Sequence, residues 1–264
     1  MTKLKNITIG TDAEVFFKED DYVVSVVGLI GGTKESARPI GKDCFVQEDN
    51  ILAEFNIPPV TNVQDFLSNI NYCKDWLEVN YPAYGLHFAS SEKIERWLLM
   101  DAEAQTFGCA PDCVVDYKED RDEQTEDEKE ESLIEKTSSC IRTSGFHIHI
   151  GYENSTIDTN REIVKLFEKY VTMPLLLSDK DDYNRRLMYG KAGSYRNKDY
   201  GVECRSLGGY FLKDDATISN VWDRVQQVLN AFNSGERVSK EEFAEIKHNI
   251  NTKQLDKIKK ICAV

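Results

Sequence analysis

Several familiar features are missing from this chain. There is no run of about 18 apolar residues, and no apolar core of a secretion signal follows Met1-Thr2-Lys3-Leu4-Lys5, so membrane spanning and export are not expected and a cytoplasmic location is. There is no Cys-x-x-Cys: the seven cysteines are odd in number and scattered, which predicts reduced thiols rather than a disulfide framework or a zinc ribbon. Cys109 and Cys113 leave zinc as a minor alternative, since buried cysteines are commonly just small apolar side chains. There is no Walker loop, because neither Gly41-Lys42 nor Gly190-Lys191 has a glycine five residues earlier or Ser/Thr next. Finally, there is no excess of positive charge. A net charge of -13 argues against direct nucleic-acid binding. Over half of that charge sits in residues 116–136, where eleven acids face four bases; the run reads as a solvated insert, with a mobile lid as its functional alternative.

What is present is alternation. In Gly145-Phe146-His147-Ile148-His149-Ile150-Gly151, a period of two puts both histidines on one face of a strand and the apolar residues on the other. Three more stretches repeat the design: Asp12 and Glu14 in residues 9–17, Glu54 and Asn56 in 51–57, and Glu203 and Arg205 in 200–207. Burying so many ionic groups unpaired costs several kcal/mol each, so a common compensating ligand is expected. Carboxylates with neutral imidazole suit Mg²⁺ or Mn²⁺, and arginines suit phosphate. Four separate solvated sheet faces are the alternative that needs no ligand.

The remaining pattern fills in a single large domain, which 264 residues at 41% hydrophobic can support. Hairpins are predicted over 7–27 and 44–57, the second turning at Asp49-Asn50, with Gln47 able to face the same cavity as Glu54. Helical spacing is predicted over 63–81, 91–100, 158–177 (disturbed by Pro174), 216–232 and 238–261, with a further strand over 84–90. Between them, Asp181 to Arg196 gathers Arg185, Arg186, Lys191 and Arg196 around Gly190 and Gly193, a plausible anion-binding loop with backbone N–H groups.

In order along the chain stand Asp12-x-Glu14, Gly32-Thr33-Lys34, Glu54-Phe55-Asn56-Ile57-Pro58-Pro59, Gly108-Cys109-x-Pro111-Asp112, Ser144-Gly145-Phe146-His147-Ile148-His149, Tyr189-Gly190-Lys191-x-Gly193-x-Tyr195-Arg196 and Val202-Glu203-Cys204-Arg205. This series resembles the phage-type carboxylate-amine ligases (COOH.NH2 ligase type 2) of the glutamine synthetase and glutamate-cysteine ligase superfamily, from about Gly10 to Gly209. The resemblance implies an α+β fold: a largely antiparallel, curved, glutamine synthetase-like sheet covered by helices on one face. It also implies a catalytic domain over 1–235, including the acidic insert, and a C-terminal helical extension over 236–264.

The implied activity is ATP-dependent amide or peptide-bond formation between small-molecule or peptide carboxylate and amine substrates, through an acyl phosphate, with Mg²⁺ or Mn²⁺. Asp12, Glu14, Glu54, His147 and Glu203 are the implied metal ligands, although Asp12 has a shorter reach than the Glu of distant synthetases. His149, Lys191, Arg185, Arg196 and Arg205 would hold nucleotide, with Arg196, Arg205, Glu54 and His149 acting at the reaction centre. If the chain is phage-encoded, it works in host cytoplasm. A metal-dependent amide hydrolase and a catalytically silent binding protein of the same fold are the alternatives.

Overall fold

The alternating segments become neighbours in one antiparallel sheet. The protein is described here from a computed structural model over residues 3–101, 104, 113–115, 140–179 and 182–262. The strands and helices are β1 (Thr8–Glu19), β2 (Tyr22–Val24), β3 (Arg38–Gly41), β4 (Cys44–Asp49), β5 (Leu52–Asn56), α1 (Val63–Asn80), β6 (Gly85–His87), β7 (Ser91–Lys93), β8 (Cys113–Val114), β9 (Ile141–Thr143), β10 (Phe146–Gly151), α2 (Ile157–Phe167), α3 (Asp182–Met188), β11 (Ser194–Lys198), β12 (Gly201–Cys204), α4 (Asp215–Asn233), α5 (Lys240–Asn251) and α6 (Leu255–Ile261). The sheet runs β3-β4-β5-β1-β10-β12-β11-β8, with β2 and β6 added on the far half of β1 and a small β7-β9 pair beside it. It is an open α+β architecture. The acidic run 116–136, the Gly108-to-Asp112 motif and the Cys109/Cys113 zinc alternative lie outside the described residues, apart from the short strand β8.

Period-two burial decides which face is covered. Ala13 and Val15 of β1, Phe55 of β5, Phe146 and Ile148 of β10 and Val202 of β12 form one buried apolar surface. Onto it pack Phe66, Ile70, Cys73 and Leu77 of α1, Ile163 and Phe167 of α2, and Val221, Trp222 and Val225 of α4. Phe66 sits between Phe146 and Trp222, with ring centroids 6.4 and 5.2 Å away. Each such aromatic contributes about 2 to 3 kcal/mol by burial. The covering helices start where side-chain caps allow: Asn62, Thr156, Asp214 and Ser239 each accept the backbone N–H three residues on.

Three local expectations change. Residues 91–100 are not one helix; Ser91–Lys93 pairs with β9, and only Arg96–Met100 coils, as a 3₁₀ turn. The β4-β5 turn falls at Asn50-Ile51, one residue later than predicted, with Asn50 taking the positive φ of 60° that asparagine tolerates. Pro174 disturbs the long helix as predicted, but upstream of itself: α2 passes into a π-turn at Glu168–Thr172 before Met173–Leu175. Proline has no N–H to offer the carbonyl four residues back, and the Tyr170 carbonyl instead accepts Arg224 Nη1 at 3.2 Å. Among the described residues no helix is long and apolar enough to cross a membrane.

Candidate active site

The face of the sheet opposite the helices carries the polar pairs, and strand register sets them directly across from one another. Gln47 stands opposite Glu54, and Glu54 opposite Glu14. Asp12 is flanked by Asn56 and His147. His149 stands opposite Glu203, which is opposite Arg196. Four separately read strands, joined by β4 and β11, thus aim their polar side chains at one patch.

Within the patch the acids fall into two groups. Asp12, His149 and Glu203 offer one ligand atom each within 4.8 Å of one another, and so do Glu14, Asp49 and Glu54. His147, an expected metal ligand, has Nδ1 2.9 Å from Asp12 Oδ1, and its Nε2 is buried beside Gly145 without a hydrogen-bond partner. A Cβ at position 145 would overlap that ring nitrogen, which is why the motif needs glycine there. The Gly145 N–H in turn donates to Glu14 Oε2 at 2.6 Å. His149 faces the acids with its other nitrogen: Nε2 lies 3.3 Å from Asp12 Oδ2, buried and without an aligned hydrogen bond, while Nδ1 is 2.6 Å from the Tyr200 hydroxyl.

Burial and mutual charge separate the protonation states. Burial, helped by the charge of Arg205, pushes His147 down to about 3, so its ring is neutral near pH 7. Burial opposes ionisation of Asp12, but the imidazoles, His149 first, outweigh it and hold Asp12 well below the usual carboxylate range. Glu14 goes the other way. Burial first, then the neighbouring charge of Asp49, raises it to about 8. Burial with Asp12 and Asp49 nearby also drives Glu54 well above its ordinary value, and burial raises Asp49. Three crowded carboxyls that resist ionisation are what a hard cation would relieve.

Cations close the patch on the β11-β12 side. Glu203 is fully buried. Arg205 Nη1 pairs with its Oε1, while Lys198 Nζ and Arg196 Nη1 lie 2.9 and 3.7 Å from Oε2. Arg205 is itself steadied by Tyr189, whose hydroxyl accepts Nε at 2.7 Å. Arg185 lies behind the patch: fully buried, it donates to the carbonyls of Ser144, Ser206 and Arg205 at 2.9, 2.8 and 3.1 Å. That is a scaffold geometry, tying β12 to the start of β10. Lys191 is exposed on the loop before β11. The loop's backbone is not an open anion cradle, because the N–H groups of Ala192, Gly193 and Ser194 donate to Asn251, Glu168 and the Lys191 carbonyl.

Several site residues escaped the sequence. Asp49 and Lys198 were within reach of period-two reasoning, being two residues on from Gln47 and Arg196. Lys34 meets Asp49 at 3.6 Å through the glycine-rich loop, whose N–H groups at Gly28, Ile30 and Gly31 all converge on Glu48. Tyr189 stood in the quoted Tyr189-Gly190-Lys191 motif without a role, and Tyr200 carried no sequence signal.

Residues 139–250 match the family model described as phage phiEco32-like COOH.NH2 ligase-type 2. Over that stretch, 112 of its 264 residues, the chain is similar to the type 2 COOH.NH2 ligases. That segment holds His147, His149, Arg196, Glu203 and Arg205, whereas Asp12, Glu14 and Glu54 precede it. Among solved structures the chain is similar to a bifunctional glutathione synthetase from Pasteurella multocida, with 12% identity and a TM-score of 0.42 over 98% of this chain and 45% of that one. The chain therefore spans less than half of that protein's length. No curated protein matches it.

Proposed function

We propose that the ligase segment and the strands before it form one ATP-dependent carboxylate-amine ligase site, acting through an acyl phosphate on a small-molecule or peptide acid and amine. The observation that carries the reading is the register: Glu14, Glu54, Asp12, His147, His149, Glu203 and Arg196 occupy facing positions on contiguous strands. A glutamine synthetase-like relation of this sheet, a catalytic unit over 1–235 with a helical extension over 236–264, and a cytoplasmic setting, the host's if phage-encoded, belong to the same proposal.

The donor set fits Mg²⁺ or Mn²⁺, being carboxylate oxygen plus imidazole nitrogen; His147 Nε2 and His149 Nε2 are both buried without a hydrogen-bond partner, and His149 is the one grouped with Asp12 and Glu203. Asp12, His149 and Glu203 would hold one ion, and Glu14, Glu54 and Asp49 a second. A bound ion would offset the charge that builds as the substrate carboxylate meets the γ-phosphate.

The chain's own residues supply the rest. Arg205 and Arg196 stand beside Glu203, where they can take up phosphoryl oxygens; Arg185 and Tyr189 hold Arg205 in place from behind. Lys191, exposed on the adjoining loop, would meet nucleotide phosphates. His147, kept neutral, donates to Asp12 and keeps it ionised for its cation. In the reaction one carboxylate oxygen bonds to the γ-phosphorus as ADP leaves. The deprotonated amine then bonds to the acyl carbon as phosphate leaves.

The experiment is oxygen transfer. With ¹⁸O-labelled carboxylate, the label is expected in the released phosphate, and ADP release is expected to need both acid and amine. ADP formation with unlabelled phosphate would rule out the acyl phosphate, and amide cleavage without nucleotide would favour the hydrolase.

A further inference from the structure

Tyr200 lies at the turn between β11 and β12, just before Gly201. Its place is fixed by backbone rather than by its ring. The Tyr152 N–H donates to its carbonyl at 2.9 Å, and Gly201, at a φ of 153°, approaches β10 so closely that a Cβ there would overlap the Ile150 carbonyl. Those two constraints bring the phenol alongside His149, ring planes 16° apart and centroids 6.1 Å away, with the hydroxyl 2.6 Å from Nδ1. The other ring nitrogen, Nε2, is buried without an aligned hydrogen bond and faces Asp12, in the group that also contains Glu203.

A neutral imidazole has one N–H, and whichever nitrogen carries it cannot bind a cation. Histidines that ligate a cation nearly always donate their second N–H to an outer partner, which fixes both tautomer and ring angle. We propose that Tyr200 is this positioning residue: its hydroxyl accepts Nδ1–H of His149 and leaves the Nε2 lone pair facing the cation site of Asp12 and Glu203. Without the hydroxyl, the proton is drawn to Nε2 by the Asp12 carboxylate, and the ring becomes a donor to an acid instead of a ligand. The phenol itself touches no reacting atom. The inference rests on the ligase reading only through the cation.

Two measurements on Tyr200→Phe test it, neither of which needs turnover. The ring is 46% exposed, so losing one hydroxyl leaves the fold intact. In metal-free protein, imidazole ¹⁵N shifts are expected to place the His149 proton on Nδ1 in the wild type and to show it moving toward Nε2 in the variant. Mn²⁺ affinity, read by electron paramagnetic resonance, is expected to fall about 10- to 100-fold. A wild-type proton on Nε2, or a Phe variant that binds Mn²⁺ as tightly as wild type, overturns the role of Tyr200 alone. A wild type that takes up no Mn²⁺ overturns the ligase reading's metal, and the role of Tyr200 with it.

Discussion

The Glu14, Asp49 and Glu54 group makes metal-free stability depend on pH in an unusual direction. A carboxyl raised from 4.5 to about 8 in the folded state favours the protonated fold by up to about 5 kcal/mol. Because the folded value lies above the unfolded one, this stability is full below pH 4.5 and is lost as pH rises toward 8. His147 works oppositely: depressed from 6.5 to about 3, it withdraws stability as pH falls below 6.5. Between pH 6.5 and 8 the unfolded imidazole loses only its last half proton, a gain of about 0.4 kcal/mol, so the acids dominate. Over that window Glu14 accounts for a loss of about 2 kcal/mol, and Glu54, also raised by burial, adds to it in the same direction. Urea midpoints measured in chelator at pH 6.5, 7.25 and 8 are expected to fall steadily. Saturating Mg²⁺ should flatten the series, since a cation replaces the proton. Glu14→Gln should lower the slope clearly, because it removes one titrating group and one charge that raises Glu54. A metal-free protein equally stable or more stable at pH 8 than at 6.5, or a variant that keeps the full slope, would refute the reasoning.

Arg205→Lys leaves an ammonium that cannot span Glu203 and the Tyr189 hydroxyl together; kcat in the ligase assay is expected to fall about 10²- to 10³-fold, with only a small change in thermal midpoint. Gly145→Ala forces a methyl into His147 Nε2, so a stability loss of about 1 to 3 kcal/mol in urea is expected, together with weaker Mn²⁺ binding as the His147 contact to Asp12 shifts. Asp49→Asn, by contrast, should lower Mg²⁺ affinity while raising metal-free stability at pH 8, a split that combined titration and denaturation would detect. Arg224→Ala uncovers the Tyr170 carbonyl at the π-turn and is expected to cost about 1 to 2 kcal/mol of stability without changing metal affinity.

Much of this was legible in the chain itself. Alternation fixes which side of a strand is polar, so Asp12 with Glu14, His147 with His149, and Glu203 with Arg205 declared a shared face before any partner was known. The helical stripe Phe66, Ile70, Cys73 and Leu77 likewise declared the surface that would cover the other side. The covering-helix and strand segments and the paired acids follow from such short-range spacing, while the ligase resemblance rests on the motifs themselves. Where spacing carried two meanings, it misled. Ser91 to Met100 has enough apolar residues for a helix, but pairing with β9 claims its first turn. The Gly190 to Gly193 loop has the composition of an anion cradle, but Asn251 and Glu168 claim its N–H groups.

Only the folded chain decides who faces whom. Residues 12, 54, 147 and 203 become neighbours because β1 is sandwiched between β5 and β10, a pairing of long sequence separation that no local pattern encodes. The same packing gives two look-alike histidines different surroundings: His147 sits against Gly145 and Asp12, while a hairpin turn brings a tyrosine hydroxyl to His149. Side-chain identity set what each residue was able to do, and strand register, a property of the whole sheet, set what it does.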